Sequence, residues 1–74
     1  MISNANVAKQ ISDLMLDLFR RVDESVAMVR ETCTLEEATA YQKAAGRVAG
    51  PIVMDMLEPL YDKHPALKPH NWDD

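Results

Sequence analysis

Cysteine is nearly absent from this chain: Cys33 is the single thiol in 74 residues. An internal disulfide is therefore excluded, and a structural zinc site is poorly supplied. Glycine is limited to Gly46 and Gly50, and aromatic residues make up 5%. β-branched residues do not alternate with polar ones, so the pattern of half-buried strands is missing. No apolar run approaches the ~18 residues of a membrane-spanning helix. Cations are the minority: eight Lys and Arg stand against twelve Asp and Glu, for a net charge of -4. Phosphate binding needs a positive surface, so bare nucleic acid is disfavoured as the main partner. The opening residues, MISNANVAKQISD, lack a basic segment followed by an apolar core, so no signal peptide is expected. With so little cysteine, the expected location is the reducing cytoplasm.

What is present fits a folded helical protein: 47% of residues are hydrophobic and 27% charged. The expected fold class is all-α. From about Asn4 to Thr32, apolar residues recur at helical spacing, beginning with Val7, Ile11 and Leu14. Met15, Phe19, Val22, Val26, Val29 and Cys33 step by four and three, the spacing of a heptad seam. The Ile11 to Met15 step breaks that spacing, which favours bundle packing over a long two-stranded coil. Ser3 or Asn4 can cap the first helix.

Thr34-Leu35-Glu36-Glu37 matches a capping box, with Thr34 as N-cap and Glu37 at N3. Only Thr32 to Thr34 are left to turn the chain, so two long helices, 4-32 and 35-61, must run antiparallel as neighbours. The second helix carries the stripe Ala38, Tyr41, Ala45, Val48, Ala49, Ile52, Met56 and Leu60. Pro51 either kinks it near Arg47 to Pro51 or ends it at Gly50 and restarts it. The helical pattern continues, which favours one helix kinked near Pro51. Gly46 and Gly50 stand four apart, a spacing that suits a close helix crossing and tolerance of that kink. Residues 1-62 then form the hairpin, and 63-74, with Pro65 and Pro69, read as an extended tail anchored by Leu67 and Trp72.

A domain this small buries only about 60% of its unfolded surface. Lacking disulfides, it needs another source of stability, and self-association is the one remaining. The residues after Pro51 are apolar around nearly the whole helix, more than one hairpin partner covers. The expectation is a homo-oligomer, with two hairpins forming a four-helix bundle of two-fold symmetry.

No catalytic, nucleotide-binding or cofactor motif is visible. His64 and His70 are too few and too loosely spaced for a zinc site. Asp55, Glu58 and Asp62 share a helix face; acid-base work would require a pocket to perturb them, and a solvated acidic face is the expectation. Arg20, Arg21, Arg30, Lys43 and Arg47 are interleaved with carboxylates and have no aromatic platform for bases. The leading expectation is a non-enzymatic interaction or adaptor module that binds itself and another protein, without a cofactor. Its expected surface is Met54, Leu57, Tyr61, Leu67 and Trp72, because methionine and aromatic residues suit adaptable interfaces. Nucleic-acid binding by the dimer and a metal- or ligand-binding bundle are the alternatives.

Overall fold

A computed structural model describes residues 1-70 and Trp72. Helix α1 runs Ala5–Thr32. Asn4 caps it: its Oδ1 accepts the N–H groups of Asn6 at 3.0 Å and Val7 at 3.1 Å. These amides have no partner inside the helix, so the side chain supplies one. Helix α2 spans Leu35–Pro51. Only Cys33 and Thr34 separate the two, and α1 and α2 pack as an antiparallel hairpin. The capping box is complete. Thr34 Oγ1 accepts from the Glu37 amide at 3.1 Å, and Glu37 Oε1 accepts from the Thr34 amide at 3.0 Å. Among the described residues there is no strand.

Beyond Pro51 the structure departs from the expected kinked α-helix. The chain continues as a π turn, Ile52–Leu57, and then as a short helix α3, Glu58–Lys63. The π turn lies between Pro51 and Pro59. Each proline lacks an N–H, and each ring crowds the carbonyl four residues earlier in an α-helix. In the wider π turn the Glu58 N–H reaches back five residues to the Val53 carbonyl. A π turn takes about one residue more than an α turn, so each later side chain is rotated by about 100°.

That rotation selects the core. Ala8 and Ser12 from α1, Ala45 from α2, and Leu57, Leu60 and Tyr61 are the buried side chains. Leu57 and Leu60 are fully buried, each contributing about 1.5–3 kcal/mol through the water it excludes. Most of this core lies at the open end of the hairpin, where α1, the π turn and α3 meet. Nearer the turn, the helices have only each other. There Val22, Val26 and Val29 on α1, and Ala38 and Ala49 on α2, are half-buried.

The segment expected as an extended tail is partly helical. Pro65–Leu67 form a 3-10 turn. His64 Nε2 lies 2.6 Å from the Ile2 carbonyl oxygen, tying this segment to the residues before α1. Leu67 and Trp72 are half-buried, and the Trp72 ring meets Tyr61 edge-on, centroids 5.1 Å apart. The molecule measures 44 × 22 × 18 Å, a slender rod close to the length of α1.

Candidate interaction surface

The surface expected from sequence divides when placed on the fold. Met54 is exposed at 61%. Leu57 and Tyr61 are not surface residues: both are buried inside the single chain. They were read with α-helical phase, and the extra residue of the π turn swings them inward. Tyr61 also spends its hydroxyl inside, 2.7 Å from Ser12 Oγ. Leu67 and Trp72 pack back on the chain and offer only part of their area.

The glycines also need correction. A Cβ built on Gly46 or Gly50 would meet nothing within 4 Å. Among the described residues of the single chain, nothing packs closely over them, so α1 and α2 make no tight crossing there. Gly46 instead borders an open groove between α1 and α2. Phe19, Val22 and Val26 form one wall, Ala45, Gly46 and Ala49 the other, around a cavity of about 180 Å³. Asp23 and Arg30 stand at its rim.

The opposite flank carries most of the exposed large apolar side chains among the described residues. Among the described residues, ten large apolar side chains are exposed, and six of them cluster here. Val7, Leu14, Leu18 and Met28 fall within an arc of about 80° on α1. Tyr41 and Val48, seven residues apart on α2, point within about 20° of each other. A hydrogen bond fixes that both sets share one flank: Ser25 Oγ and Tyr41 Oη meet at 2.7 Å. One heptad further toward the open end, the same register sets Leu18 level with Val48. Read from sequence, Leu14 and Val48 belong to the apolar stripes and not to an exposed surface. The signal was present in the seven-residue steps Val7 to Leu14 and Tyr41 to Val48.

Several charged groups pair on the surface of the hairpin. Arg20 pairs with Asp17 and Glu24, and Arg21 Nε lies 3.0 Å from Asp17. The hydrogen bond from Arg20 chiefly holds the Asp17 carboxyl below its ordinary range, aided by the charge of Arg21. The Thr34 amide does the same for Glu37, with the Thr34 hydroxyl adding to it. Both carboxyls are solvent-exposed, and each shift is explained by a pair or cap already present. Among the described residues, no three His, Cys, Asp or Glu side chains converge as a metal site requires. Among the described residues, no helix is long and apolar enough to cross a membrane. Comparison with known proteins finds no matching family model, curated protein or solved structure.

Proposed function

We propose that the chain is a self-associating helical interaction module, a binding protein rather than an enzyme. One observation carries this reading: the imbalance between its core and its surface. Among the described residues, the buried apolar side chains are two alanines, two leucines and a tyrosine, while ten large apolar side chains stand exposed. Scattered exposed hydrophobes are ordinary, but clustering of six on one flank marks a surface that meets another protein. Packing two hairpins into a four-helix bundle covers such a flank with the same helix geometry used inside each hairpin. The dimer then displays two copies of its outer faces, an arrangement suited to an adaptor that holds a further protein.

Concentration-dependent stability tests the reading. A protein that gains stability by association melts higher as its concentration rises. The thermal midpoint should climb over about a 100-fold range of concentration, while sedimentation equilibrium gives twice the chain mass. A midpoint independent of concentration, together with a monomer mass throughout, would refute it.

A further inference from the structure

We infer that the open groove between α1 and α2 holds one helix of another protein, with an apolar seam flanked by a cation and a carboxylate one heptad apart. This assignment rests on the adaptor reading above, and adds the site and the chemistry of the protein held. Shape, size and charge carry it.

The groove continues a face that is already packed by a helical segment. On α1, Ala8, Ser12, Phe19, Asp23, Val26 and Arg30 fall within an arc of about 60°. Toward the open end that arc is covered. Ala8 and Ser12 are buried where the π turn packs on α1, and Tyr61 reaches Ser12. Toward the turn the arc has no such cover among the described residues. Phe19 is 38% exposed there, and Phe19, Val26 and Arg30 line the groove. A helical segment fits this face at one end, so a further helix fits its continuation.

The size of the groove favours side chains over a free ligand. Its cavity of about 180 Å³ is smaller than the ~300–1,000 Å³ that takes a drug-sized molecule. The α2 wall is Ala45, Gly46 and Ala49, and a Cβ on Gly46 would meet nothing within 4 Å. Small residues along one wall let a helix axis approach to the roughly 8–10 Å of ordinary helix packing.

Charge then states what that helix carries. Asp23 and Arg30 flank the groove one heptad apart, about 10 Å along α1. Arg20 and Arg21 are engaged by Asp17 and Glu24. The side chains of Asp23 and Arg30 have no hydrogen bond or ion pair among the described residues. A docked helix returns to the same face every heptad, so one cation and one carboxylate at that spacing meet both groups. Both groups are exposed at the rim. They choose the partner, while the apolar floor of Phe19, Val22 and Val26 supplies most of the affinity.

A helical peptide of about 20 residues tests the groove. It is alanine-rich, with one seam of leucines and with Lys and Glu one heptad apart beside that seam. Two companion peptides carry Lys at both positions or Glu at both. NMR of the isotope-labelled full chain reads where each one binds. The mixed peptide should shift the signals of Phe19, Val26 and Gly46 and leave those of Val7, Leu14 and Tyr41 in place. It should bind about 5-fold or more tighter than either companion. Asp23→Lys should transfer the preference to the all-Glu peptide, and Arg30→Glu to the all-Lys peptide. Gly46→Leu projects into the groove and should weaken binding of the mixed peptide about 10-fold or more. Circular dichroism verifies that each variant remains helical. Equal affinity for all three peptides, shifts confined to the opposite flank, or no shift at millimolar peptide would overturn the inference. So would Phe19 and Gly46 signals that move when the chain alone is diluted, which would give the groove to a second copy. The concentration dependence of the thermal midpoint reads self-association separately, so the groove can fail while the dimer stands.

Discussion

Ser12 and Tyr61 lie 49 positions apart in sequence, and their hydroxyls meet at 2.7 Å inside the core. Both residues are buried, and each hydroxyl is the other's hydrogen-bond partner. Ser12→Ala strands the phenol and should cost about 1–3 kcal/mol. Tyr61→Phe should cost less, because the Ser12 hydroxyl can turn to the carbonyl of Ala8 one helical turn back. The double variant should cost less than the sum of the two. Urea unfolding followed by helical ellipticity measures all three, and simple additivity would show that the hydroxyls do not act as a pair.

Leu57→Ala should destabilise the chain by about 2–5 kcal/mol, as expected where a large side chain is fully buried. Met54→Ala, three residues earlier and exposed, should change the stability of the monomer by less than about 0.5 kcal/mol. Equal effects at the two positions would place the core elsewhere.

The cap on α2 makes stability depend on pH in a definite direction. The folded Glu37 carboxyl titrates below its unfolded value because it accepts from Thr34. Its contribution is therefore complete above the unfolded carboxylate range and is lost as pH falls through the folded value. Asp17, held down by Arg20 and Arg21, acts in the same sense. An NMR titration should show the Thr34 amide shifting along with a depressed Glu37 transition. Thr34→Ala should cost about 1 kcal/mol and return Glu37 toward ordinary titration. A Glu37 that already titrates normally in the wild type would contradict the cap.

The π turn holds about one residue more than an α-helix there would need. Removing Asp55 should convert it to α-helix while keeping Leu57, Leu60 and Tyr61 directed into the core. Pro59→Ala belongs in the same variant, because the ring would otherwise strike the restored α-helical carbonyl. The variant should stay folded and retain the Ser12–Tyr61 contact, with sequential amide contacts typical of an unbroken helix. Loss of that contact would mean the extra residue does not set the phase.

Much of this architecture is legible in the sequence because local chemistry encodes it. Thr34 and Glu37 announce the turn, Asn4 the start of α1, and the short link at Cys33 the antiparallel pairing. The phase after Pro51 is not legible. A 3.6-residue repeat aims Leu57 and Tyr61 away from α1, and nothing local marks the additional residue except the two flanking prolines. Gly46 and Gly50 take up no close crossing within the single chain for a related reason. Their spacing permits a close approach, but whether another helix takes it up depends on tertiary placement. The exposed flank was hidden because Tyr41 and Val48 sit at the edge of the α2 stripe, where periodicity alone does not divide core from surface.

The placement of the core has a consequence for how the chain opens and closes. Cys33 and Thr34 close the shortest loop, yet the residues around them are exposed and little packed. The contacts that hold most firmly, around Ser12, Leu57 and Tyr61, join segments far apart in sequence. The hairpin thus closes most readily where it is weakest. Its early-formed turn should remain the first part to fray, so amide exchange should be fastest near Thr32–Glu37 and slowest at the buried end.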